Sequence, residues 1–333
     1  MKSITEKNKT NLPDEPGAIA YSHPVAIRFE QVKEFLSAHF EGGATDVEPV
    51  GRGLWSRAFF FRRAGNDYVI RFGNEGEPYE KDRIASKYSS EKMLIPTVIE
   101  IGAALGYHFA ISERLAGTMI DELRPSEMEK IVPSIMEMLD ALRQADVSAS
   151  AGYGNWNKEE VGQYSSWRGF LLDVGSDNPT NKIHGWRVSL ESSPQGIGSF
   201  NQIAAKLKGL AKNCYEGRHL VHTDLLYFNV LAANAQIAAV IDWGNSIYGD
   251  FLYDLANFTF WAPLQPSIKE INWATQAKQY FREKGIEVDN FDERLRACEL
   301  HIGLAGMAWN AYAKNWKELQ QTTQRTNDLA DSF

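Results

Sequence analysis

Cysteine is nearly absent from this chain. Its 333 residues include only Cys214 and Cys298, and no CxxC pair occurs. That gives no basis for a disulfide scaffold or a cysteine-built zinc site, and it fits a reducing compartment. No apolar run approaches the length needed to cross a bilayer, and the opening MKSITEKNKTNLPDEPG lacks the apolar centre of a signal peptide. The expectation is a soluble, cytoplasmic protein without a membrane partner. Basic residues are in deficit, 35 against 43 acidic, for a net charge of -8. A chain of this sign is a poor general binder of phosphate backbones, so nucleic acid is disfavoured as partner and a cationic small molecule is favoured. Three catalytic signatures are also missing. There is no GxxxxGK[ST] phosphate loop, no GxSxG nucleophile elbow and no HExxH metalloprotease helix. Neither a solenoid repeat nor a low-complexity tract is present.

What is present is ordinary globular composition, 44% hydrophobic and 23% charged, in a chain long enough to split into two cores. Residues 1–25 are polar and carry Pro13, Pro16 and Pro24, which reads as a loose tail. In IRFEQVKEFLSAHF, residues Phe29, Val32, Phe35, Leu36 and Phe40 recur at helical spacing. VEPVGRGLWSRAFFFRRAGNDYVIRFG reads as two strands around a turn at Gly65–Asp67, EKDRIASKYSSEKM as a helix, and IPTVIEIGAALGYHFAISERLAG as two further strands. Residues 26–116 therefore form a small, mostly antiparallel sheet with one or two helices. From 117 to 333 the pattern is mainly helical: MEKIVPSIMEMLDALRQA, WRGFLLDV, FNQIAAKLKGLAKNC and RLRACELHIGLAGMAWNAYAKNW all space apolar residues by three or four. One stretch breaks this pattern. FNVLAANAQIAAVIDWG sets short apolar runs around Asn234, the signature of a hairpin.

The chemistry gathers at that hairpin. His222-Thr-Asp224-Leu-Leu-Tyr-Phe-Asn229, an HxDxxxxN pattern, runs directly into its first strand, and Asp242 in AVIDWGN leaves the second. A hairpin brings the ends of its strands together, so Asp224, Asn229 and Asp242 converge at one mouth. Phosphoryl transfer to a hydroxyl requires this set. Asp224 accepts or orients the substrate proton. Asn229 and Asp242 offer the hard oxygens that Mg²⁺ prefers. His222 supports the loop by hydrogen bonding. A lone His or Asp beside a strand is usually structural; the joint spacing carries the inference.

The block HTDLLYFNVL…AAVIDWGNSIYGDFLYDLA resembles the catalytic block of the aminoglycoside phosphotransferases. SRAFFF, YVIRFG, YEKDR, ISERLAG, GQYSSWRGF and NFTFW extend the likeness from about residue 28 past 310, and GQYSSWR and YEKDR point to the branch that acts on hygromycin B. The resemblance implies an α+β, two-lobed protein-kinase-like fold, with a small antiparallel-sheet N-lobe (26–116) and a larger helical C-lobe (117–333). It implies Mg²⁺-dependent transfer of the γ-phosphate of ATP or GTP to a hydroxyl of a cationic aminocyclitol antibiotic, by a monomer, with drug resistance as the result. The alternatives are a kinase for another antibiotic or for a choline-like or amino-sugar metabolite, and an inactive nucleotide-binding relative.

The resemblance also assigns further residues. Gly51, Gly53, Ser56 and Arg57 occupy the loop that covers the nucleotide phosphates. Arg71 in YVIRFG stands where kinases carry the phosphate-holding lysine and joins the catalytic set. Lys81 is a second candidate for that contact, with Glu80 or Asp82 as the partner of Arg71; YEKDR otherwise reads as a solvated helical face. The Glu113 carbonyl and the Leu115 amide lie where the purine is bound. Asp254 resembles the aspartate that supports the catalytic loop. Asn245, Asp250 and Glu299 are candidates to meet the acceptor. Asp292 and Glu293 are further acids for its ammonium groups, and Trp261, Trp309 and Tyr164 are flat walls for its rings.

Overall fold

The computed structural model of the chain describes residues 25–52, 56–226 and 229–332. The polar segment before residue 25 and Gly53 lie outside them. An amphipathic helix, α1 (Phe29–His39), leads into β1 (Ala44–Arg52), β2 (Ser56–Arg63) and β3 (Asn66–Gly73), then α2 (Glu77–Ala85), β4 (Val98–Ala104) and β5 (Tyr107–Glu113). The strands form one antiparallel sheet in the order β1-β2-β3-β5-β4. Val32 and Leu36 of α1 drop onto Phe59, Phe61, Ile70, Phe72, Phe109 and Ile111, all buried. Each such side chain contributes about 1.5–3 kcal/mol by leaving water. The β2–β3 turn falls one residue earlier than the sequence suggests. Ala64 (φ 49°) and Gly65 (φ 81°) are its centre, both left-handed, as a two-residue hairpin turn requires, and Asn66 and Asp67 belong to β3.

After Glu113 the chain passes through β6 (Thr118–Met119) into α3 (Pro125–Gln144), β7 (Tyr153–Trp156), β8 (Gly162–Tyr164), α4 (Trp167–Asp173), α5 (Trp186–Glu191) and α6 (Gly198–Leu210). It continues through β9 (His219–Val221), β10 (Val230–Ala233), β11 (Gln236–Val240), β12 (Ile247–Gly249), α7 (Leu252–Trp261), α8 (Trp273–Glu283), α9 (Phe291–Tyr312) and α10 (Trp316–Asp331). The expected hairpin is β10–β11. It closes on Asn234 and Ala235, both at positive φ, and β6 adds a third strand.

The four-stranded sheet β8-β7-β12-β9 was not foreseen. Its strands are three or four residues long, too short to show a period of two. The last helical segment also divides. Lys314 turns left-handed (φ 56°), and α10 starts afresh at Trp316.

The large core spans the helices and both small sheets, and it takes in Ile84 and Ala85 from the end of α2. Helix α2 thus hangs from the first sheet yet packs into the helical part. Among the described residues, no helix is long and apolar enough to cross a membrane.

Candidate active site

The segment between β9 and β10 carries the catalytic pattern, and hydrogen bonds hold it from below. Asp254, on α7 and 1% exposed, accepts from the His222 amide at 2.8 Å and the Thr223 amide at 2.7 Å. Burial pushes its carboxyl up, to about 7, against the pull of those two amides. The His222 ring is fully buried. Its Nε2 lies 2.9 Å from the Ile241 carbonyl, and its Nδ1 lies 3.3 Å from the Asp224 amide. A neutral imidazole donating to Ile241 and accepting from Asp224 satisfies both contacts. Burial accordingly pulls its pKa down, to about 4. His222 therefore ties the catalytic segment to the strand end before Asp242. A second tie runs from the Thr223 hydroxyl to the Asn245 carbonyl, 3.1 Å.

Asp224 and Asn229 enter the hairpin side by side. The Asn229 amide group donates to the Asp224 carbonyl at 2.7 Å, so Oδ1 is the end of that side chain with lone pairs to offer. Burial first, and the nearby Asp242 second, push the Asp224 carboxyl up to about 6. Asp242 leaves β11 in a left-handed conformation (φ 63°), and 54% of its side chain is exposed. Backbone strain of this kind persists only where the surroundings hold it.

Arg71 comes from β3. It pairs with Asp82 of α2 and reaches to within 3.7 Å of Asp242. Burial works against its charge, but Asp82 and Asp242 outweigh it and the guanidinium pKa is raised. Of the two partners considered for Arg71, Asp82 is the one used; Glu80 pairs with Arg83.

Lys81 points into the fold, toward β7 and the turn after Asp242. It is 1% exposed, its Nζ donates to Asn155 Oδ1 (2.6 Å) and the Ser246 carbonyl (2.7 Å), and it lies 4.6 Å from the Trp156 ring centre. It is therefore no phosphate contact, and YEKDR is no solvated face: Tyr79, Lys81 and Asp82 are buried because α2 packs into the core.

The other expected residues divide. Gly51 lies in β1, and Ser56 opens β2 opposite Gly73. The Arg57 guanidinium donates to the Ile27 carbonyl. Glu113 closes β5, where its amide donates to the Thr97 carbonyl and its carboxylate accepts from the Thr97 amide, both at 3.1 Å. Leu115 follows in the connection to β6, which Arg114 anchors by lying on the Phe60 ring, 3.6 Å from its centre. Asn245 stands beside Thr223 at the mouth.

Two acceptor candidates do not join it. Asp250 is 1% exposed, and both of its oxygens are taken by Arg294 at 2.8 and 2.9 Å, which leaves no open face for an ammonium. Glu299 is 5% exposed and pairs with Arg296 at 3.0 Å. It lines a cavity of about 420 Å³ with Trp273 and Arg325, and none of Asp224, Asn229, Asp242 or Asn245 borders that cavity. Asp292 pairs with Lys278 on the surface, Glu293 is exposed, and the Tyr164 hydroxyl donates to Asp173. Trp261 is half-buried beside Gly306, and the Trp309 ring lies 6.4 Å from that of Tyr312.

The grip of Asp82 on the Trp243 amide (2.7 Å) and of Lys81 on Ser246 had no sequence signal, because both cross more than 160 positions. Asn155 was hidden for another reason: it sits on a strand too short to be read.

Two carboxylates, an amide oxygen and a guanidinium gathered at the mouth of a hairpin fit a phosphoryl-transfer enzyme of the protein-kinase-like fold. The family model for the phosphotransferase enzyme family (APH) matches residues 46–298, and the chain belongs to that family. It is 32% identical over 275 residues to hygromycin-B 4-O-kinase of Escherichia coli, covering 82% of this chain and 76% of that protein. The crystal structure of aminoglycoside phosphotransferase APH(4)-Ia superposes with a TM-score of 0.79 at 29% identity, over 91% of this chain and 98% of the other. A thermostable mutant of the same enzyme, in ternary complex with AMP-PNP and hygromycin B, superposes with a TM-score of 0.78 at 30% identity over the same shares.

Proposed function

We propose that the protein transfers the γ-phosphate of ATP or GTP to a hydroxyl of an aminocyclitol antibiotic of the hygromycin B type, and so confers resistance to it. The observation that carries this reading is the convergence of Asp224, Asn229 and Asp242 in a chain 32% identical to a hygromycin-B kinase. Asp224 orients the acceptor hydroxyl and takes its proton as the oxygen attacks phosphorus. A carboxyl lifted to about 6 is ionised at neutral pH yet a better proton acceptor than a solvated one. Neutral His222 and the buried Asp254 keep Asp224 in place. Arg71, held by Asp82, offers its remaining donors to the phosphates; a guanidinium does this as a fork rather than as the point charge of a lysine.

The donor set fits Mg²⁺. Among the described residues no group of three or more His, Cys, Asp or Glu stands ready to hold a metal alone. Asn229 and Asp242 are instead a two-oxygen half-site, of the kind Mg²⁺ completes with phosphate oxygens and water. When bound, the ion would neutralise charge developing on the phosphates. The added phosphate dianion then spoils the fit of the drug to its own target.

The test is phosphate transfer from labelled ATP and GTP to a panel led by hygromycin B, with Asp224→Ala alongside. Transfer to hygromycin B that disappears in the variant supports the proposal. Transfer to a different acceptor alone overturns the substrate, and transfer surviving in Asp224→Ala overturns the role of Asp224.

A further inference from the structure

We propose that Lys81 is a positioning residue: from the buried side of α2 its ammonium holds the turn that follows Asp242 and so sets where the Asp242 carboxylate stands. This rests on the proposal that Asp242 binds the metal of the nucleotide. Three grips on the turn come from one helix. Asp82 accepts from the Trp243 amide at its start (2.7 Å). Lys81 donates to the Ser246 carbonyl at its end (2.7 Å). Between them Gly244 lies against Pro78, where a Cβ would come within 2.9 Å of the proline Cβ. Asp242, the residue directly before this turn, is left-handed at φ 63°, a conformation a non-glycine residue keeps only under constraint.

Filling space does not explain the lysine. It is 1% exposed, and its bonded partners are neutral: an amide oxygen, a carbonyl oxygen and an indole face. Stripping water from an ammonium is costly, and an apolar side chain of similar volume avoids that cost. Burial pulls its pKa down to about 7, and charged or neutral the nitrogen donates to both oxygens, so the side chain is accounted for by what it holds. Asn155, on β7, anchors the other side of the ammonium, so the grip joins α2, β7 and the turn. Asp82 pairs with Arg71 as well, and adjacent residues of α2 thereby place both Arg71 and Asp242.

The experiment measures affinity for AMP-PNP with Mg²⁺ and with EDTA, in the full chain, for wild type, Lys81→Met and Asn155→Ala, with thermal melts of each. The gain that Mg²⁺ gives in wild type should fall severalfold and up to about tenfold in Lys81→Met, the lower end of what removing a direct outer partner of a metal ligand costs, because Lys81 acts on Asp242 through the turn. The EDTA affinity should stay within about twofold. Asn155→Ala, at an exposed position that removes one of two acceptors, should lose a few-fold of the gain. A merely structural lysine would lower both affinities together, and that result overturns the proposal. So does a Mg²⁺ gain unchanged in Lys81→Met. If Lys81→Met does not melt cooperatively, Asn155→Ala decides, and an unchanged gain there overturns the proposal. A wild-type chain with no Mg²⁺ gain overturns the metal role of Asp242 and the clamp with it; a wild-type gain that the variants keep overturns the clamp alone.

Discussion

Replacing Asp224 by Asn should make the protein inactive and more stable at the same time. The carboxyl moves from 3.8 to about 6 on folding, because burial and then Asp242 disfavour its charge. A group whose folded pKa lies above its unfolded value contributes stability below the unfolded pKa, and loses it as pH rises through the folded one. Wild type at pH 7.5 therefore carries an ionised Asp224 at a cost of about 3 kcal/mol. Asparagine keeps the shape and drops the charge. Thermal melts without nucleotide or metal should place Asp224→Asn above wild type by about 4–6 °C at pH 7.5. The difference should shrink as pH falls through about 6 and vanish below about pH 3, where Asp224 is protonated in both states. Phosphate transfer by the variant should fall about 10²-fold or more. An Asn variant that melts at or below wild type at pH 7.5, or by a pH-independent margin, refutes the reasoning.

Other expectations follow from the same geometry. In wild type, kcat/KM should rise with pH through about 6 as Asp224 ionises; a flat profile over pH 5–8 would contradict this. Asp254→Ala strands the His222 and Thr223 amides and should lower stability by about 2–6 kcal/mol, at about 1–3 for each buried donor, with Asn restoring part of it in a denaturant titration. Arg71→Met leaves the Asp82 carboxylate buried without its cation, and about 3–5 kcal/mol of stability should go with nucleotide affinity. Asp242→Asn should erase the Mg²⁺-dependent part of nucleotide binding, read by calorimetry, and leave the metal-free part in place.

The residues proposed for the reaction are legible in the sequence because they lie close together in it. Asp224, Asn229 and Asp242 flank one hairpin, and a hairpin is a local object: Asn234 and Ala235 turn it, and its register follows. The apolar spacing of α1 and the two strands around the turn near Gly65 were equally visible, because apolar runs and turn residues are local signals. The acceptor side was not. Asp250 and Glu299 are acids in the C-terminal half, as an ammonium site would want, and both are spent in buried pairs with Arg294 and Arg296. Formal charge does not reveal burial: the partner of Asp250 stands 44 residues away, and Arg296, three residues before Glu299, would equally suit an exposed helical pair.

By itself the sequence determined the local features: the HxDxxxxN segment, the hairpin it enters, an arginine in β3 and the helices around them. Hydrophobic periodicity and turn residues act over a few positions, and these features need no more range than that. Only the tertiary structure decided what YEKDR does. Helix α2 packs its end into the helical core, so Lys81 turns inward to Ser246 and Asn155 while Asp82 takes Arg71 and the Trp243 amide. Burial decides the use of those charges, and burial is set by segments the chain brings together from more than 70 residues away.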